Sequence, residues 1–269
     1  MAARFSLTES EWRAWREDGF FVRRTAFDAQ EVDAMRAASD RVRDTALRLV
    51  TEGRAYEVDG NRYVDAGAIT VQLEHRPGSP SLRVVEPFHA LDPVFDRLVD
   101  DARLVDPMCD LVGAPRVGLW TDKLNFKPPH DGSGFRWHQD SPYWAHACRH
   151  LDQLPNVMLA LDDADESNGC LRVVRGSHRH GLLPGRADDG VLGPLFTDPR
   201  HFDQQAQVAA AMPAGSLVFF SPHTVHGSEP NRSERMRRAM VLTYQPSGYD
   251  QFKAPGRREA TSSPAQETR

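Results

Sequence analysis

The chain is poor in cysteine, has no long apolar run and carries no excess of positive charge. Each shortage excludes a class of protein. The three cysteines, Cys109, Cys148 and Cys170, are odd in number and irregular in spacing. That argues against a disulfide framework or a zinc cluster and predicts a reducing compartment, the cytoplasm. No stretch approaches the length of a membrane span. No apolar run follows Met1-Ala2-Ala3-Arg4-Phe5, so no signal peptide is expected. The net charge is −5, with no basic stripe to suggest nucleic acid and no like-charge block to suggest a tail that binds by charge. Internal repeats are absent, and nothing specifies an oligomer. What remains suits one large globular domain of 269 residues, 40% apolar and 26% charged.

Local signals divide the chain. Thr8 with Glu11, ahead of Trp12 and Trp15, predicts a capping box and a short helix that Gly19 ends. Phe20-Phe21-Val22 reads as a strand. Asp28 with Glu31 predicts a second helix carrying Val32, Met35, Ala38 and Val42 on one face. Residues 53–83 look mixed and irregular, with a short strand at 69–73 and a break at Pro77-Gly78-Ser79-Pro80. A lid is expected there. Residues 93–112 read as one or two helices. After Val117, short apolar runs alternate with turn signals, at 119–126, 135–138, 157–161, 170–174, 216–220 and 239–244. Many short strands at regular spacing predict a β-sandwich or jelly roll, and helices early in the chain make the class α+β. Residues 1–254 form the expected domain. The polar stretch from Pro255 is expected to be a flexible tail.

The chemistry starts at His138-Gln139-Asp140. On a strand, residues i and i+2 share a face, so His138 and Asp140 can reach one metal ion. A histidine from a distant strand would complete a two-histidine, one-carboxylate set, which caps one face of Fe(II) and leaves the rest open. With 11 His and 25 Asp in the chain, chance alone gives about one His-x-Asp triplet. There are three, at His138, His150 and His201. Surroundings separate them: the second and third lie in turns, whereas the first sits among Phe135, Trp137, Tyr143 and Trp144. Those aromatics suit a pocket wall or a core equally.

His226 follows a strand and a Ser-Pro turn, and Arg237 comes eleven residues later, a spacing that fits a hairpin facing one cavity. An arginine there can clamp a carboxylate through two parallel bonds, and Ser228 can add a hydroxyl. Arg232, Arg235 and Arg238 read as solvated surface charges. His223 is an alternative ligand to His226. His178 reads as a structural hydrogen-bonding residue, and the acidic run at 162–166 as a solvated loop.

Together these segments resemble the phytanoyl-CoA dioxygenase family of Fe(II)- and 2-oxoglutarate-dependent oxygenases. The resemblance spans most of the chain: Glu17-Asp18-Gly19-Phe20, Lys127-Pro128-Pro129, Trp137-His138-Gln139-Asp140, Asn168-Gly169-Cys170-Leu171, Gly176-Ser177-His178, and His226-Gly227-Ser228 with Asn231, Ser233 and Arg237. It implies a double-stranded β-helix core, a cupin-like jelly roll with flanking N-terminal helices. It implies His138, Asp140 and His226 as iron ligands. Arg237 and Ser228 would hold the far carboxylate of 2-oxoglutarate, with Met158 and Arg83 as further cosubstrate contacts. Gln139, Tyr143 and Trp144 would face the substrate. The implied reaction consumes O2 and 2-oxoglutarate, releases succinate and CO2, and hydroxylates an unactivated C–H bond of a small, natural-product-like molecule. Asp140 favours hydroxylation, since related halogenases lack that carboxylate. Two other readings stay open at this point: a cupin-like metalloenzyme that does not use 2-oxoglutarate, and a catalytically silent small-molecule-binding protein on the same fold.

Overall fold

A computed structural model describes residues 5–262. Helix α1 (Glu9–Asp18) opens with the capping box of Thr8 and Glu11 and closes at Gly19, whose φ of 82° suits glycine. Strand β1 (Phe20–Arg23) leads to α2 (Ala29–Val50), capped by Asp28 and Glu31. Its buried face carries Val32, Met35, Ala38 and Val42. Next come β2 (Arg54–Val58), β3 (Asn61–Ala66), β4 (Ile69–Leu73) and β5 (Leu82–Glu86), paired antiparallel in sequence order. The segment expected to be irregular is therefore a regular meander. Its Pro77–Pro80 turn is pinned, because Ser79 Oγ and Arg76 Nε both donate to the Asp131 carboxylate. Helices α3 (Pro93–Leu98) and α4 (Ala102–Val112) follow.

The rest of the chain is mostly strand: β6 (Val117–Lys127), β7 (Phe135–His138), the short α5 (Ser141–Trp144), β8 (Asn156–Ala160), β9 (Arg172–Val174), β10 (Gln207–Ala209), β11 (Leu217–Phe220), β12 (His226–Ser228), β13 (Arg237–Pro246) and β14 (Glu259–Ala260). The main sheet runs β1-β11-β8-β13-β6-β5-β4-β3-β2, with β14 added against β6, and the smaller sheet runs β10-β9-β12-β7. This is the expected α+β architecture, a double-stranded β-helix core with flanking helices.

Period-2 alternation sorts the side chains of the main sheet. On β11, Leu217 and Phe219 join the core beneath α2, α3 and α4, while Val218 and Phe220 turn toward the smaller sheet. Val157 and Leu159 of β8 take the helix side, Met158 and Ala160 the other. Met240, Leu242 and Tyr244 of β13 also pack on the helix side. No helix among the described residues is long and apolar enough to cross a membrane.

The expected tail is tied down as far as it is described. Glu259 and Ala260 pair with Gly118 and Val117. Arg258 Nη2 donates to Asp100 at 2.8 Å and to Asp96 at 3.2 Å, and Thr261 N donates to Asp100 at 2.8 Å. Polar composition does not reveal this strand, which is held by backbone pairing and ion pairs with Ala260 buried in the core. Deleting residues 258–269 should cost about 1–2 kcal/mol of stability. Chemical denaturation checks this, and an unchanged midpoint would show that the segment contributes nothing.

Candidate active site

Strands β7 and β12 pair antiparallel and place His226 directly opposite His138. Their ring centroids are 4.1 Å apart. Asp140 arrives differently from the sequence expectation. Strand β7 stops at His138, and Asp140 has turned into helical backbone (φ −79°, ψ −30°) just before α5. Its amide and that of Ser141 both donate to Pro222 O at 3.1 Å, which fixes the turn. One ligand atom from each of His138, Asp140 and His226 lies within 4.8 Å of the others. His223 is elsewhere, its Nε2 bonded to Asp152 at 2.8 Å.

The donor set fits a divalent metal. His138 Nδ1 donates to Arg136 O at 2.7 Å, and His226 Nδ1 donates to Thr224 O at 2.9 Å. Each bond fixes the tautomer that leaves Nε2 free to bind metal. Burial and the neighbouring His226 push the pKa of His138 down to about 3, so this imidazole is neutral, as a ligand must be. Asp140 Oδ2 accepts from Asn156 Nδ2 at 3.0 Å, and Asn156 Oδ1 accepts from Thr243 Oγ1 at 2.6 Å. Two imidazoles and one oriented carboxylate suit Fe(II).

A cavity of about 300 Å³ runs from this cluster between the two sheets. Arg237 and Ser228 line it. Arg237 is 3% exposed, and burial lowers its pKa only to about 10, so it stays charged at neutral pH. Its Nη2 donates to Gly169 O at 2.5 Å, but its Nε is buried without a hydrogen-bond partner. Such a group is costly unless an anion completes it. Met158, Phe220 and Val241 give the cavity an apolar wall, and Tyr143 lines it as expected.

Other expected contacts fall differently. Trp144 is 1% exposed and packs with Trp120 and Leu154, outside the cavity lining, so it is core rather than substrate wall. Gln139 does not line the cavity either. Its Nε2 donates to Gly181 O and His223 O, and its Oε1 accepts from Leu183 N, so it cross-links three loop strands. Arg83 does line the cavity, yet its guanidinium donates to Ser133 O, Ser133 Oγ and Gly134 O and lies 3.7 Å over the Phe135 ring. It braces the segment leading into β7. His178 Nε2 bonds Arg16 O at 3.2 Å, a structural contact. Arg238, read as solvated, is bound by Asp162 at 2.9 Å.

Sequence reasoning missed a polar row on β6. Thr121, Lys123 and Asn125 line the cavity, while Leu124 and Phe126 face the helices. The alternation of polar and apolar residues through 121–127 was the available signal. Only three of the 33 basic residues are lysines, and two of them, Lys123 and Lys127, lie on this strand. The third, Lys253, donates to Glu86 at 3.0 Å, and Glu86 also accepts from Thr121 Oγ1 at 2.9 Å.

A jelly roll that presents two histidines and a carboxylate beside a buried arginine defines an Fe(II)- and 2-oxoglutarate-dependent oxygenase. The model of the phytanoyl-CoA dioxygenase family matches residues 15–239, and the chain belongs to that family. It is 29% identical to an ectoine dioxygenase of Bordetella parapertussis, over 89% of this chain and 75% of that protein. It is also 29% identical to an L-proline trans-4-hydroxylase of Streptomyces griseoviridis, over 65% of this chain and 73% of the other. The crystal structure of EctD from S. alaskensis with bound Fe superposes with a TM-score of 0.66 at 25% identity, covering 89% of this chain and 77% of that one.

The Asn156 contact predicts a graded effect on the metal. Asp140→Ala should abolish Fe(II) binding, and Asn156→Ala should weaken it by about 10–100-fold. Anaerobic Fe(II) titration measures both. Native affinity in Asn156→Ala would show that the amide does not orient the carboxylate.

Proposed function

We propose that this protein hydroxylates an unactivated C–H bond of a compact, natural-product-like small molecule that carries an anionic group, at the expense of O2 and 2-oxoglutarate. His138, Asp140 and His226 hold Fe(II), and Arg237 with Ser228 holds the far carboxylate of the cosubstrate. The observation that carries this reading is the buried Arg237, whose unpartnered Nε shares a cavity with the three ligand atoms. A reading without 2-oxoglutarate leaves that nitrogen unexplained. Bound Fe(II) supplies the activation of O2.

The protein groups do the rest. The two histidines hold their Nδ1 protons on main-chain carbonyls, so their Nε2 lone pairs stay turned to the metal position. The β2–β3 hairpin roofs the cavity: Asp59, Asn61 and Tyr63 line it, and the Asp59 carboxylate accepts from Leu192 N at 2.7 Å across the opening. A roof of this kind limits water at the reacting centre. The small volume favours a compact substrate, which agrees with relatives named for ectoine and L-proline. The three free cysteines suit a reducing compartment such as the cytoplasm.

Lys123 supports an anionic substrate. It lines the cavity, and among the described residues nothing hydrogen-bonds its Nζ. Burial lowers its pKa, but Glu86 and Asp140 outweigh that and keep it charged. Once Asp140 serves a metal ion, its field at Lys123 is largely cancelled, and an incoming carboxylate or phosphonate can take its place.

Two variants separate the parts of this reading. Arg237→Ala should cost about 2–4 kcal/mol of 2-oxoglutarate binding, seen as a raised KM for that cosubstrate. An unchanged KM would remove Arg237 from the clamp. Lys123→Met should leave 2-oxoglutarate affinity within about twofold while abolishing the stimulation of succinate release by small carboxylates and phosphonates. Stimulation by neutral amides equal to that by the acids would argue against an anionic substrate.

A further inference from the structure

Lys127 lies one step beyond the cavity row on β6, opposite Arg237 on β13. It is fully buried. Its Nζ donates to Ser228 Oγ at 2.7 Å, to Gly169 O at 3.3 Å and to Glu229 O, all of them uncharged acceptors. In its protonated form Nζ has three protons and no lone pair, so these acceptors use all of its capacity. Ser228 Oγ also receives Phe135 N at 3.4 Å. With both lone pairs of the hydroxyl engaged by donors, its own proton has no acceptor among the described residues. Ser228 lines the cavity beside Arg237, so the proton is left for whatever anion sits there.

We infer that Lys127 is a positioning residue of the cosubstrate clamp: it holds the Ser228 hydroxyl as an acceptor, so that the hydroxyl donates to the far carboxylate of 2-oxoglutarate. This inference rests on the clamp proposed above. Two further features support it. Gly169 O is shared by Lys127 Nζ and Arg237 Nη2, which ties the two cations to one carbonyl. Gly169 has φ of 71°, and a Cβ there would fall 2.1 Å from Glu229 O and 2.8 Å from Lys127 Nζ, so only glycine fits. The charged groups acting on the ammonium are Arg237, Arg83 and Glu74, with the Cys170 thiol also close. Burial together with Arg237 and Arg83 pushes its pKa down to about 6, against a smaller opposing pull from Glu74 and Cys170. The amine is therefore largely neutral in the free protein at pH 7, and a carboxylate bound at Arg237 relieves the repulsion and restores the ammonium that holds Ser228 as an acceptor.

The test compares two probes on the Fe(II)-loaded protein without oxygen. 2-Oxoglutarate carries the far carboxylate, whereas 2-oxopentanoate has the same metal-binding head without it. Lys127→Met should weaken 2-oxoglutarate about tenfold and leave 2-oxopentanoate within about twofold. Combined with Ser228→Ala, it should add almost nothing to the loss from Ser228→Ala alone. Equal weakening of both probes would mark Lys127 as a structural staple and overturn the inference, as would losses that multiply in the double variant. If Lys127→Met does not fold, Lys127→Leu gives the same comparison with no donor to the hydroxyl, and native discrimination there overturns the inference. Native protein that does not prefer 2-oxoglutarate to 2-oxopentanoate would instead overturn the clamp itself.

Discussion

Strands β6, β8, β11 and β13 alternate their side chains between two faces of the main sheet, and every part of the site depends on that pleat. One face must be apolar to cover α2, α3 and α4, and Leu124, Phe126, Leu159, Phe219 and Met240 meet that need. The other face is then free to carry Lys123, Asn125, Asn156, Arg237 and Thr243. A register slip of one residue would drive the cations into the helix core and turn the large apolar side chains into the cavity. Helix packing therefore fixes the register of Lys123 and Arg237 from the far side of the sheet.

The smaller sheet contributes accuracy. His138 and His226 are cross-strand neighbours, and each has its tautomer set by a carbonyl two residues back. Asp140, which leaves the strand, is held by the Pro222 carbonyl through its amide and by Asn156 through its carboxylate. Near this centre Lys123 is balanced by Glu86 and Asp140, whereas burial, Arg237 and Arg83 together push Lys127 toward its neutral form. A dianionic cosubstrate beside Arg237 is the natural counter-charge for that pair.

Local chemistry was legible in the sequence. Thr8 with Glu11 and Asp28 with Glu31 act within four residues, and both caps form. The metal motif was legible because its aromatic surroundings distinguished it from the two other triplets, and Arg237 because its distance from His226 matches a hairpin. What escaped depends on contacts between distant segments. Nothing local tells Trp144, packed on Trp120, from Tyr143, which faces the cavity. Gln139 was misplaced because the resemblance implied a substrate contact, whereas its amide is taken up by Gly181, Leu183 and His223. Strands β2 and β14 bury few apolar residues and are held by backbone pairing, which hydropathy does not register. Lys123 and Asn125 sat in a visible alternation, but only the closing of β6 against β13 gives that face a cavity.

The distribution of lysine has a practical side. Lys127 is buried and Lys123 faces the cavity, whereas Lys253, its side chain 37% exposed, lies at the outer surface. Amine-reactive reagents therefore find almost a single side-chain target, and it sits against Glu86 on the strand that borders the cavity. A dye attached there is positioned by the protein itself, without an engineered cysteine. Its emission would register ligands arriving on the other side of Thr121.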